Sequence, residues 1–188
     1  MKNFLTRPLI LLAVACSLVL VGCQSGPTAE ELIRDSLTQE FDELKSGAND
    51  EFVESMMKSA GGSFETLGID GKTFAEAYLN GFDYSIGDIS VNEAGDHATV
   101  AATVKARSIK GIIRSFQNAF EAKLGEADPA ELSNEDGLIK LGGELLMQAA
   151  KDAELKESNI KLQYDLKDDA WTPDEDVFDA QIAKALMG

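Results

Sequence analysis

The chain has 188 residues and carries 17 basic and 33 acidic residues, a formal net charge of −16. This charge argues against nucleic-acid binding, whose affinity depends on cationic contacts to phosphates. It equally argues against charge-driven adhesion to anionic lipid. The length suits one domain with a sizeable core.

Residues 1–22 have the organisation of a secretory signal peptide. Lys2 and Arg7 precede an apolar run of about 15 residues, shorter than the ~20 that span a bilayer as a helix. The run ends in Leu20-Val21-Gly22-Cys23, which resembles the lipobox of bacterial lipoproteins. That resemblance implies cleavage before Cys23, acylation of Cys23, and attachment to the cell membrane on its extracytoplasmic face.

The cysteine and histidine content removes several kinds of chemistry. Cys16 lies in the signal peptide and acylation consumes Cys23, so neither a disulfide nor a thiol site remains. The one histidine, His97, cannot form a histidine metal cluster. No cofactor, metal or catalytic residue is predicted. Residues 23–27 form the lipidated N-terminus and a short tether, whose four residues after Cys23 reach about 14 Å.

Residues 28–188 are predicted to form a single domain that begins with three helices. Thr28 and Glu31 form a capping box that opens the first helix. Its core positions follow at helical spacing: Ile33, Leu37, Phe41 and Leu44. Asn49 is predicted to cap the second helix, and a capping box of Thr73 and Glu76 to open the third.

The pattern then changes to the alternation of an antiparallel hairpin. Residues 82–91 form the first strand, with a bulge at Gly87, and residues 92–96 form a turn. The second strand alternates without error, and its buried face would carry Ala98, Val100, Ala102, Val104 and Ala106. The small alanines leave room for a covering helix or for a pocket.

Two helices follow within residues 109–153, and a second hairpin closes the sheet. Residues 160–166 alternate, residues 167–170 form a turn, and Trp171 starts a short strand. Thr172 and Glu175 form a capping box that is predicted to open the terminal helix. Segregated helices and antiparallel strands indicate an α+β fold, with a curved antiparallel sheet packed against helices.

The hairpin segments 83–91, 98–104 and 162–171 resemble small bacterial lipoproteins with a cystatin-like, or nuclear-transport-factor-2-like, domain of unknown function. The resemblance implies a curved sheet around helices, often with a conical apolar pocket. The chain departs from the compact form by inserting two helices, residues 109–153, between the hairpins. These helices could fill or cap the pocket, and no catalytic residue can be transferred.

Five large aromatic residues are candidates to line such a pocket, with burial in the core as the alternative: Phe82, Tyr84, Phe116, Tyr164 and Trp171. An enzymatic alternative is a cofactor-free isomerase or lyase that uses Tyr84 with Asp83 or Asp88. The simpler, non-enzymatic interpretation is that Tyr84 is a core residue and that both aspartates face solvent.

Three further sets of charged or titratable residues are candidates for a functional site. The acidic segment 165–179 could hold calcium, or could simply form a polar turn and a helix start. His97 beside Asp96 could act as a base, or could be an ordinary surface histidine. Lys105, Arg107, Lys110 and Arg114 form a candidate basic docking patch, because no acidic residue occurs from His97 to Phe120. The patch could meet anionic headgroups or dock an acidic partner, or could simply pair with neighbouring acidic helices.

The sequence therefore predicts a lipid-anchored extracytoplasmic domain that binds an apolar or amphiphilic small molecule or an envelope protein. The isomerase or lyase described above is one alternative. A structural accessory subunit of a membrane complex is another.

Overall fold

The computed structural model describes residues 26–46, 53–54, 56–58, 62–128 and 133–188. The signal peptide, Cys23 and the predicted cap at Asn49 lie outside these residues.

Helix α1, Ala29–Lys45, begins with the predicted capping box. The Thr28 hydroxyl accepts from the Glu31 N–H at 3.2 Å, and the Glu31 carboxylate accepts from the Thr28 N–H at 2.7 Å. The predicted core positions of this helix are all buried: Ile33, Leu37, Phe41 and Leu44. Phe41 lies among three other rings, at 6.4 Å from Phe82, 4.9 Å from Tyr84 and 6.5 Å from Phe178, measured between ring centroids.

A short helix α2, Ser63–Thr66, leads into helix α3, Gly71–Leu79. The predicted helix start at Thr73 is wrong, because Asp70, three residues earlier, caps the helix. The Asp70 carboxylate accepts from both the N–H and the hydroxyl of Thr73, at 2.8 and 2.7 Å, so Thr73 lies inside the first turn.

Four antiparallel strands form one sheet in the order β1-β2-β3-β4. They are β1 Asp83–Val91, β2 His97–Arg107, β3 Leu155–Lys167 and β4 Ala170–Pro173. The predicted bulge is confirmed by a shift of register between Ile86 and Ile89. Strand β3 starts five residues before the predicted position, because its polar first half pairs with β2 as far as Arg107↔Leu155. The α+β class with an antiparallel sheet is thereby confirmed.

The described helices that contact this sheet cover one of its faces. On β2, the five predicted inward residues are buried, and the residues between them face outward. Helix α1 contacts β1, while the terminal helix α6, Glu175–Met187, contacts β3 and β2. The predicted cap of α6 at Thr172 is wrong, and Asp174 caps it instead. The reason is that Thr172 and Pro173 still pair with β3 as part of β4.

The predicted two-helix insertion is present as α4, Ile109–Glu126, and α5, Glu135–Asp152, between β2 and β3. Both helices begin at side-chain caps, Ser108 for α4 and Asn134 for α5. Gly142 and Gly143 are buried where α5 passes the loop after α2. A Cβ atom on Gly143 would overlap the carbonyl oxygen of Leu67, so the close approach requires glycine at this position.

Candidate functional site

The five candidate pocket residues do not surround one common space. Phe82 and Tyr164 are buried in the core, and Phe82 and Tyr84 both pack against Phe41. Phe116 lies on the inserted helix α4, where its ring stacks on Phe120 at 5.7 Å. Trp171 is half-buried on β4, directly opposite Leu166 of β3.

Two open clefts in the described part of the chain are lined by other residues. One runs along the polar side of α1, between Asp35 and Ser46. The other lies between the segment 67–73 and α5, and its wall includes Asp70, Lys140 and Glu144. None of the five aromatic candidates lines either cleft. Both clefts are open to solvent, and the wall of the second is mixed, since it also includes Leu67, Ile69 and Met147.

The residues of the enzymatic alternative make contacts that hold α1 on β1. Tyr84 donates its hydroxyl proton to Asp42 at 2.7 Å, and Lys45 pairs with Asp83 at 2.8 Å. Partial burial, assisted by the Asp42 carboxylate, raises the pKa of Tyr84 to about 12. The Lys45 ammonium lowers the pKa of Asp83.

These shifts run against the enzymatic hypothesis. A general base works best with a pKa near the working pH, whereas Tyr84 stays protonated and Asp83 stays ionised as an ion-pair partner. Asp88 is exposed within the bulge of β1.

His97 lies at the start of β2 on the outer face, and its principal partner is not the predicted Asp96. Its Nδ1 atom lies 2.6 Å from a carboxylate oxygen of Asp165, the cross-strand partner on β3, while Asp96 is 3.8 Å from Nε2. Both His97 and Lys167 lower the pKa of Asp165, with His97 the larger cause. The sequence could not show this pair, because it depends on the register of β2 against β3.

The acidic segment 165–179 divides between different structures. Asp168 and Asp169 form the β3–β4 turn with positive φ, and Asp174 caps α6 by accepting from the Val177 N–H at 3.1 Å. Among the residues that the structure describes, no cluster of acidic, histidine or cysteine side chains has the arrangement of a metal site.

The four residues of the basic patch lie near one end of the sheet. Lys105 is exposed on the outer face, between its cross-strand partners Asp83 and Glu157. Arg107 is half-buried and donates to the backbone carbonyl of Lys151 at 3.2 Å.

The other two members lie on the first turns of α4. The Lys110 ammonium donates to the carbonyl oxygen of Gly188 at 2.9 Å, and Arg114 is exposed one turn further on. Lys105, Lys110 and Arg114 are therefore the accessible part of the patch, whereas Arg107 is tied to α5.

The direction of α1 defines the two ends of the domain. Near its start, Arg34 donates to the carbonyl oxygens of Ile86 and Gly87 at 3.0 and 3.1 Å, and at its last residue Lys45 pairs with Asp83. Helix α1 is thus antiparallel to β1. Its first residue, Ala29, lies at the end of the sheet that carries the β1–β2 turn, which we call the proximal end.

The opposite end, which we call the distal end, carries the basic patch. Strand β2 has 11 residues and runs from His97 at the proximal end to Arg107 at the distal end. At about 3.3 Å per residue, these two residues are roughly 33 Å apart along the sheet. Sequence reasoning missed this polarity, because it depends on how α1 crosses β1.

No helix within the described ranges is both long and apolar enough to cross a membrane. No family model matches the sequence, and no curated protein matches it. One solved structure matches, that of a putative lipoprotein (ycdA) from Bacillus subtilis subsp. subtilis strain 168, with 17% sequence identity and a TM-score of 0.40. The match covers 81% of this chain and 47% of that chain, which is less than half of the matched protein.

Proposed function

We propose that this protein is a lipoprotein of the extracytoplasmic face of the cell membrane, and that its domain binds an envelope protein through the distal end. The anchor is supported by the lipobox sequence that ends at Cys23. A protein partner is favoured over a small molecule because the two clefts are wide open to solvent and the aromatic candidates do not line them. For the fold, we favour the cystatin-like description, since helices cover one face of an antiparallel sheet.

The observation that carries the proposal is the separation of the tether from the basic patch. Residues 24–27 span about 14 Å at most when extended. The patch lies at the other end of a strand roughly 33 Å long. A tether of this length favours a patch that points away from the anchoring membrane, where an approaching partner would meet it.

Charge defines the chemistry of that partner. Lys105 lies between Asp83 and Glu157, which offset its charge. On α4, however, Lys110 and Arg114 present cations on the surface of a strongly acidic protein, in a stretch without acidic residues from His97 to Phe120. Such a local reversal of sign orients an approaching acidic surface and raises its association rate. The proposed partner is therefore a protein with an acidic docking surface.

The anchor is tested by Cys23→Ser, which should abolish palmitate incorporation and release the protein or leave it unprocessed. Normal labelling and normal partition into detergent would contradict lipidation at this residue.

The docking surface is tested by a photo-crosslinking amino acid at Ser115, an exposed residue beside Arg114. In intact cells we expect a discrete adduct that Lys110→Glu with Arg114→Glu abolishes. A matched control makes the same charge change at Lys140 and Lys161, which are exposed elsewhere, and should keep the adduct. Loss in both double variants, or in neither, would contradict docking through the patch.

A further inference from the structure

Three exposed or half-exposed apolar residues lie near the proximal end of the sheet, on three different strands. Val91 and Leu166 lie at the ends of β1 and β3, each 38% exposed, and Trp171 is directly opposite Leu166. All three are on the face that the helices cover. In register, Val91 is level with Ala98 and Tyr164, and Leu166 is one inward position beyond Tyr164. They therefore lie at the margin of the covered face.

Helix α1 adds a fourth apolar residue to this end. Leu32 is 44% exposed and lies less than one turn from Ala29, the first residue of the helix. The contacts of Arg34 with β1 put this turn at the proximal end. We call Leu32, Val91, Leu166 and Trp171 the apolar cluster.

We propose that the apolar cluster contacts the lipid bilayer in which the protein is anchored. The inference rests on the proposed function, because it needs acyl chains on Cys23. Helix α1 begins at the same end as the cluster, and four residues between Cys23 and Thr28 reach about 14 Å at most, so an anchor on Cys23 would keep that end close to the membrane surface. Exposed leucine, valine and tryptophan side chains are the residues that enter the boundary between headgroups and acyl chains.

The charges around the cluster decide which lipid it meets best. Glu93 and Asp96 lie in the β1–β2 turn, and Asp168 and Asp169 in the β3–β4 turn, all exposed at the same end. These carboxylates are repelled by anionic headgroups. Contact should therefore be closest on zwitterionic lipid, weaker on anionic lipid at low salt, and restored by added salt, which screens the repulsion.

The chain carries its own reporter, since Trp171 is the only tryptophan. The lipidated full-length protein is reconstituted into phosphatidylcholine vesicles with and without brominated acyl chains. Because bromine quenches only nearby rings, we expect Trp171 emission to fall about twofold if the cluster enters the first ~10 Å of the bilayer. Replacing half of the lipid with phosphatidylglycerol at low salt should reduce the quenching.

One double variant tests the cluster without changing the Trp171–Leu166 pair. Leu32→Glu combined with Val91→Glu should abolish quenching while the protein still floats with the vesicles. The matched control is Ile113→Glu, on α4, whose side chain is 46% exposed and which should be quenched like the unaltered protein. A second reporter, Trp171→Phe with Lys105→Trp, moves the indole to the distal end and should not be quenched.

Each failure has a different signature. Flotation with unquenched Trp171 would overturn bilayer contact and leave the anchor intact. Quenching of the Lys105 reporter, or stronger Trp171 quenching on phosphatidylglycerol, would overturn the proposed orientation. Absence of flotation would overturn the anchor, and with it this inference.

Discussion

Gly143→Ala should destabilise the protein although alanine is the better helix former. The new methyl group would overlap the Leu67 carbonyl oxygen, and the main chain of both segments must shift to relieve it. We expect an overpacking cost near the upper end of ~1–3 kcal/mol, offset by ~1 kcal/mol of helix propensity. The net loss of ~1–2 kcal/mol should lower the thermal midpoint by roughly 3–6 °C for a domain of this size.

Two other glycines on the inserted helices provide the controls, with thermal and urea unfolding followed by circular dichroism. Gly142→Ala meets the end of the Leu67 side chain at 3.1 Å, which can rotate, and the Phe120 ring at an ordinary contact distance of 3.9 Å, so its effect should be small. Gly125→Ala meets nothing within 4 Å and should stabilise the protein by up to ~1 kcal/mol. A Gly143→Ala variant as stable as Gly125→Ala would refute the close packing of α5 against the loop at Leu67.

Three further predictions concern individual side chains. Trp171→Ala should cost ~2–3 kcal/mol in urea unfolding, less than the ~3–5 kcal/mol of full burial, because the ring is half-buried; an unchanged midpoint would indicate an unpacked ring. Tyr84→Phe should remove the rise in phenolate absorbance that corresponds to a pKa of about 12. It should also lower the free energy of unfolding by about 1 kcal/mol, because the hydrogen bond to Asp42 is lost. If the rise in absorbance persists in the variant, it belongs to another tyrosine. Folding lowers the pKa of Asp165, so its ionised form stabilises the fold above the ordinary carboxyl pKa, and this contribution is lost as pH falls through the lower folded pKa. Asp165→Asn should therefore reduce the loss of stability in acid. An acid-unfolding profile that is unchanged in this variant would contradict the role of Asp165.

Most of the secondary structure was predictable because its signals are local. The alternation of β2, the capping box of Thr28 and Glu31, and the bulge at Gly87 each depend on a few neighbouring residues. The wrong helix starts have a common cause. At Thr73 and Thr172 a better-placed aspartate, Asp70 or Asp174, provides the cap, and pairing within the sheet keeps Thr172 in β4.

The candidate site was less predictable because it depends on long-range placement. The sequence grouped the aromatic residues by type, whereas the fold distributes them between the core, α4 and β4. It proposed a basic patch, but it could not show that Arg107 bonds to α5, or that Lys105 and the start of α1 lie at opposite ends of the sheet. Neither fact is local: the first depends on where α5 packs relative to β2, and the second on how α1 crosses β1.

The two edge strands of the sheet determine whether neighbouring copies of the protein could join through their sheets at high local concentration. An edge strand offers unpaired backbone groups to a neighbouring molecule, and confinement to a surface would bring copies together at high local concentration. On β1, Arg34 already occupies the carbonyl oxygens of Ile86 and Gly87, beside a bulge that interrupts the strand. On the other side, β4 has only four residues and ends in Pro173. Both margins are therefore poor templates for strand addition, so crowded copies should remain separate rather than joining edge to edge.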